Sequence, residues 1–197
     1  CITIYGDHFK KIKNLGYIPV GLGSEKFSNE FLTDKTGENI STKNPFYGEY
    51  SFHYWLWKNK INEIKSNEWI GFCQYRKYWS NNNEKKEINN LQDLNNNLIK
   101  DVPEKYNKFE VILGEPLFIN KFKFTKILKK GFLKVITQPN YLFNKDKRNI
   151  KFHFDLMHGE GNLDKAINLL DNENRKDFNE FVNSETSFNP HNMFICK

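Results

Sequence analysis

The sequence predicts an α/β protein: a mostly parallel central sheet flanked by helices, in a single domain. Three observations predict it. Short apolar runs alternate with stretches of helical period, and no tight hairpin turn joins consecutive runs. The clearest run, Trp69-Ile70-Gly71-Phe72-Cys73, has no polar alternation, as suits a strand buried on both faces. The 197 residues suffice for one domain with its own core, and neither a repeat nor a linker divides them.

In chain order, Ile2-Thr3-Ile4-Tyr5 is a strand by β-propensity. Gly6-Asp7-His8 follows at its carboxyl end, where an acid and an imidazole suit either nucleotide contact or a polar turn. Tyr17 to Gly23 reads as a second strand, at an edge because Pro19 cannot donate to a ladder. Thr33 to Asn44 is a polar loop. Asn44-Pro45 then opens a helix running to about Lys60, with Asn44 as N-cap and Pro45 at the first helical position. Phe46, Tyr50, Tyr54, Trp57 and Ile61 share one face, and aromatics cover most of the rest, so the helix reads as buried. Glu49 and His53 are four apart and neighbours on it. They suit a metal pair, an acid/base pair or an internal hydrogen bond.

The apolar run at 69–73 changes character at its carboxyl end. Gln74-Tyr75-Arg76-Lys77-Tyr78-Trp79 sets two cations among three aromatics. In open α/β sheets, ligands bind outside the carboxyl ends of the strands. Arginine suits two-pronged recognition of phosphate, and aromatic rings offer platforms for bases or sugars. The alternative is an edge where Arg and Lys snorkel over aromatic packing. Gly71 inside the run marks close approach by another backbone or a ligand.

Beyond it, Ser80 to Asn90 is a charged, Asn-rich excursion. Leu91, Leu94, Leu98 and Ile99 give a short amphipathic helix, and Phe109 to Leu113 a third interior strand. Phe122 to Phe132 has helical period, with Lys123, Lys126, Lys129 and Lys130 outward. That face suits either solvent or peripheral contact with an anionic membrane. Leu133 to Thr137 is another strand candidate. Asp155, His158 and Glu160 then crowd beside two glycines, ahead of a helix carrying Leu163, Ala166, Ile167 and Leu170. Such a group serves as general base or ligand, or as a polar helix entrance capped by Asn162. A helix with Phe178, Phe181 and Val182 and a closing strand complete the chain.

Composition narrows the function classes. The net charge of +6 favours anionic partners. The three cysteines are odd in number and lack metal-site spacing, which predicts reduced thiols and a cytoplasmic protein. No apolar stretch reaches the roughly 18 residues of a membrane span. The chain starts without Met and stops in an apolar run, so it reads as part of a longer protein. Phosphate-loop, dinucleotide, zinc-protease and nucleophile-elbow motifs are all missing. So is a D-x-D pair; no cofactor is assigned, and a divalent ion, manganese or magnesium, is left open.

Five blocks in order resemble a known family. They are His8 after the first strand; Thr33-Asp34-Lys35-Thr36-Gly37-Glu38-Asn39-Ile40-Ser41-Thr42-Lys43-Asn44; Trp55-Leu56-Trp57-Lys58-Asn59; Gly71 to Tyr78; and Asn192-Met193-Phe194-Ile195. The chain is similar over almost its whole length to the glycosyltransferase-like family of capsular and surface polysaccharide loci, domain of unknown function 4422. Two positions depart from its pattern. Gln74 stands where His is usual, and Lys77 where Arg is usual.

The resemblance implies that residues 1–197 form a single GT-A-like glycosyltransferase domain, truncated at its C-terminal end. It implies transfer of a sugar from a nucleotide donor, UDP-linked, to a glycan or lipid-linked glycan, at the inner face of the plasma membrane. Asp7, His8, Asp34, Asn39, Ser41, Asn44, Tyr75, Arg76 and Lys77 are then donor-binding candidates. Asp155 and His158 are catalytic candidates, and no nucleic acid is expected. The competing reading is an inert fragment that binds carbohydrate or nucleic acid.

Overall fold

The computed structural model describes residues 1–80, 88–120, 140, 144 and 147–197. The helix expected at 122–132 with its four lysines, and the strand expected at 133–137, lie outside the described residues. The chain divides into two compact units. One comprises Cys1–Gly114 with His191–Lys197, the other Glu115–Pro190.

The first unit carries a mixed sheet. Strands β1 (Ile2–Thr3), β2 (Val20–Gly21) and β3 (Leu32–Thr33) are parallel, with Ile2 beside Val20 and Val20 beside Leu32. Helix α1 (Phe9–Asn14) links the first two. On its other edge β1 meets the chain just past β4 (Ile70–Gly71) in a parallel bridge. There Ile2 N–H donates to Cys73 at 2.8 Å, and Tyr75 N–H to Ile2 at 2.9 Å. β8 (Phe194–Cys196) lies antiparallel between β4 and β5 (Val111–Leu113). So β1 to β5 all point one way, and β8 runs against them. The expected parallel sheet is present, interrupted by a strand that arrives from a loop. Strand–helix alternation cannot report such a strand.

Two strand expectations are corrected. β2 is central, not an edge, because Pro19 precedes the first ladder pair and its carbonyl still accepts from Leu32 N–H at 3.0 Å. β5 is an edge, not interior, among the described residues: of these only β8 pairs with it, and Val111 and Leu113 are about half exposed. Gly71 does mark a close approach. A Cβ there would meet Ile195 Cγ1 at 3.3 Å, so its neighbour is the next strand.

The long aromatic helix is also corrected. It is two helices, α2 (Asn44–Tyr47) and α3 (Tyr50–Asn59), broken at Gly48, whose φ of +55° favours glycine. Asn44 is the first helical residue, and its amide donates to Gly48 O and Ser51 Oγ. The buried face holds Ser51, Phe52 and Trp55. Phe46 is 89% exposed, and Tyr50 and Trp57 are more than half exposed. Aromatics all round the helix hide which stripe faces the core. Phe52 and Trp55 pack with Ile2, Val20, Leu22 and Phe72 into the main cluster. Helix α4 (Leu91–Asn97) forms but stops short of the expected Leu98 and Ile99, since Leu98 turns extended; Asn90 caps it, accepting from Asp93 N–H at 2.9 Å.

The second unit pairs β6 (Leu117–Phe118) with β7 (Ser187–Phe188) and packs three helices. These are α5 (Ile150–His158), α6 (Asn162–Ile167) and α7 (Asn172–Ser184). Leu163, Ile167 and Val182 form their core. Residues 150–158 are thus a helix rather than a helix entrance, capped by Asn149 through Phe152 N–H at 2.9 Å. All three cysteines are free thiols. No helix among the described residues is long and apolar enough to cross a membrane.

Candidate active site

β1 and β4 end side by side, and their carboxyl ends are tied to a tight turn. Gln74 and Lys77 exchange backbone hydrogen bonds at 2.9 and 3.2 Å, which leaves Tyr75 and Arg76 at the tip. The turn is braced from below. Tyr78 hydroxyl donates to Tyr75 O at 2.9 Å, and Trp79 Nε1 to Phe72 O at 2.9 Å. Past β1, Thr3 Oγ1 and His8 Nδ1 are 2.9 Å apart, which turns the imidazole back over the strand end. Tyr5, His8 and Tyr75 then pack as a ring trio with centroids 4.9 to 5.4 Å apart. The Arg76 guanidinium rests over Tyr75 at 5.0 Å.

A cleft of about 280 Å³ opens beside this trio, lined by Thr3, Glu49, Gln74, Tyr75, Arg76 and Asn192. An adjoining cleft of about 760 Å³ shares Ile4, Leu22 and Asn44 with it and is also lined by Ser41 and Lys35. The two lie over the carboxyl ends of β1, β2 and β4. There the strand order reverses, with β2 on one side of β1 and β4 on the other, the position where open α/β sheets leave a crevice.

Glu49, at the start of α3, supplies the carboxylate of the first cleft. Its Oε1 accepts from Gln74 Nε2 at 2.5 Å and its Oε2 from Asn192 Nδ2 at 3.2 Å. Tyr50 hydroxyl donates to Asn192 Oδ1 at 2.8 Å, which fixes the amide with its NH₂ toward Glu49. His53 does not join Glu49. Its ring sits against Phe72 and Phe194, at 4.7 and 5.4 Å, with Nε2 buried and without a hydrogen-bond partner among the described residues. Burial pushes the imidazole pKa down, toward the neutral ring.

Of the expected donor-binding residues, Tyr75, Arg76 and Asn44 line the first cleft, Ser41 and Asn44 the second, and His8 packs on Tyr75. Asn39 holds the loop: its Oδ1 accepts from Ser41 N–H and Ser41 Oγ, at 3.2 and 2.8 Å. Asp34 is 1% exposed, and its two oxygens have no hydrogen-bond partner among the described residues. Asp7 projects into solvent, 3.9 Å from His8 Nε2. Lys77 Nζ lies 2.8 Å from His191 Nε2.

Asp155 and His158 belong to the second unit. Asp155 is buried in α5, where Oδ1 accepts from Gly161 N–H at 3.4 Å and Oδ2 is 3.9 Å from Lys151 Nζ. His158 ends the helix, exposed, with its ring tilted against Phe154 at a centroid distance of 4.5 Å. Among the described residues, no group of three or more His, Cys, Asp and Glu side chains is placed to hold a metal ion.

The family model described as "Domain of unknown function (DUF4422)" matches residues 2–197. The chain belongs to this family. No curated protein matches it. Among solved structures it is similar to the WbbM bifunctional glycosyltransferase in its apo form, at 18% identity and a TM-score of 0.37. That match covers 85% of this chain, which spans 28% of the WbbM chain.

In this DUF4422 chain the distant sequence blocks meet in space. The loop after β3 is pinned to α3: Trp55 Nε1 donates to Thr36 O at 2.7 Å, and Asn59 Nδ2 to Glu38 O at 2.8 Å. Glu38 N–H returns a bond to Asn59 Oδ1 at 3.1 Å. Gly37 sits between them at φ +57°, and a Cβ there would fall 2.0 Å from Asn59 Oδ1. Sequence reasoning missed the Glu49–Gln74–Asn192 arrangement. The available signal was that Gln74 and Asn192 fall in two family blocks and Glu49 just ahead of a third.

Proposed function

We propose that this chain is the transferase part of a GT-A-like glycosyltransferase that moves a sugar from a nucleotide donor to a capsular or surface glycan. One observation carries the reading. At the strand-order reversal, a cleft brings together an arginine and an aromatic cluster, the groups such a donor needs, beside an oriented carboxylate. Arg76 would neutralise the leaving diphosphate, with Lys77 adding charge from the same turn. The aromatic trio would flank the base or sugar, and the adjoining cleft, with Ser41 and Asn44, would take the rest of the donor. Family membership agrees with this reading.

Titrating the protein with UDP at low and high salt, with EDTA or manganese, tests it. UDP should bind, with affinity changing less than about tenfold between EDTA and manganese, about 1.4 kcal/mol. A single-stranded oligonucleotide should bind weakly, and only at low salt. No UDP binding, together with tight oligonucleotide binding that collapses with salt, would contradict the reading. A loss of UDP affinity above about a hundredfold in EDTA, roughly 2.7 kcal/mol, would move the neutralising role to an ion.

A further inference from the structure

Among the described residues, Glu49 is the one carboxylate that lines the cleft beside Arg76. Each of its oxygens accepts one hydrogen bond, and both donors are neutral amides, Gln74 and Asn192. Among the described residues, no Lys or Arg is within ion-pairing distance of it. A carboxylate oxygen has two acceptor positions, so each oxygen of Glu49 keeps one open. The Tyr50–Asn192 bond removes the ambiguity of the Asn192 amide, so that donor is fixed. The result is an anion held in place and oriented, but not neutralised by a cation.

We propose that Glu49 is the catalytic base that takes the proton from the acceptor hydroxyl. This rests on the glycosyl-transfer reading above. The acceptor oxygen forms a bond to the anomeric carbon while the bond from that carbon to the diphosphate oxygen breaks. The electron pair leaves with the diphosphate, beside Arg76. The hydroxyl proton passes to an open position on Glu49, which later returns it to solvent. A single displacement of this kind inverts the anomeric centre. Gln74 and Asn192 are positioning residues, since they act through Glu49.

The test measures UDP affinity and UDP release from UDP-glucose, UDP-galactose and their N-acetyl forms in the presence of free sugars. Glu49→Gln should leave UDP affinity within about threefold of wild type, about 0.7 kcal/mol. It should lower UDP release by about 10²–10⁴, the usual share of general acid–base catalysis. Glu49→Ala opens space for a small carboxylate, so added formate should restore part of its rate. If Glu49→Gln turns over normally, the base assignment is overturned while the function stands. A Glu49→Gln variant that loses affinity and rate alike makes Glu49 a binding residue and also overturns it. If the wild type fails to bind UDP, the glycosyl-transfer reading itself fails, and this inference with it.

Discussion

Arg76→Ala weakens UDP binding by about 30-fold to several thousandfold. The estimate follows from removing one partner of a charged pair formed on binding, about 2–5 kcal/mol, at roughly 1.4 kcal/mol per tenfold. The free protein gives Arg76 little to lose. The side chain is exposed at the tip of a turn, rests on the Tyr75 ring and pairs with no acid among the described residues. The melting temperature should therefore hardly move. Arg76→Lys should recover only part of the affinity, because an ammonium keeps the charge without the fork. The snorkelling alternative predicts the reverse, a lower melting temperature and unchanged affinity. Calorimetric titration and a melting curve on the same two variants separate them.

Trp55→Ala should cost about 3–5 kcal/mol of stability, the range for deleting a buried aromatic from a core. Trp55 is 2% exposed, stacks on Phe52 at a centroid distance of 5.6 Å, and belongs to the cluster under β1 and β2. Its indole N–H also holds the Thr36 carbonyl. Trp55→Phe keeps the ring but leaves that carbonyl without its donor, for a smaller loss of about 1–3 kcal/mol. Urea midpoints measure both. A Trp55→Ala loss below about 1 kcal/mol, the level of an ordinary substitution, would mean that the helix does not anchor the sheet.

Much of the fold was legible because its signals are local. The apolar run at 69–73 holds β4 at Ile70–Gly71 and buries Phe72 and Cys73 just past it, and the switch to Gln74-Tyr75-Arg76-Lys77 marks the emergence into a turn. The parallel core follows from strands separated by helices. The misreadings have physical causes. Tyr50, Tyr54 and Trp57 form a helical stripe on α3, while Phe46 lies before the break at Gly48 and Ile61 beyond the helix; Phe52 and Trp55 stand on the opposite side of α3, and burial follows them. Ser51 lies against the core because it is small enough to let the helix approach. The carboxylate site was hidden by distance along the chain. Glu49 is held by residues 25 and 143 positions away, and no periodicity reports such a contact. Asp155 and His158 stood out for their crowding, which a helix explains: Lys151, Asp155 and His158 are spaced along α5 of the second unit. Asp34 looked like one polar residue in a polar loop, yet it is buried.

The proposed function requires a nucleoside diphosphate in the cleft beside Arg76, at the carboxyl ends of β1 and β4. A crystal structure of the protein with UDP tests it most directly. The diphosphate should lie within about 2.7–2.9 Å of the Arg76 guanidinium, the range of charge-assisted bonds, with the Tyr5–His8–Tyr75 rings flanking the base or sugar. UDP bound elsewhere on the chain, with Arg76 still turned to solvent, would contradict it.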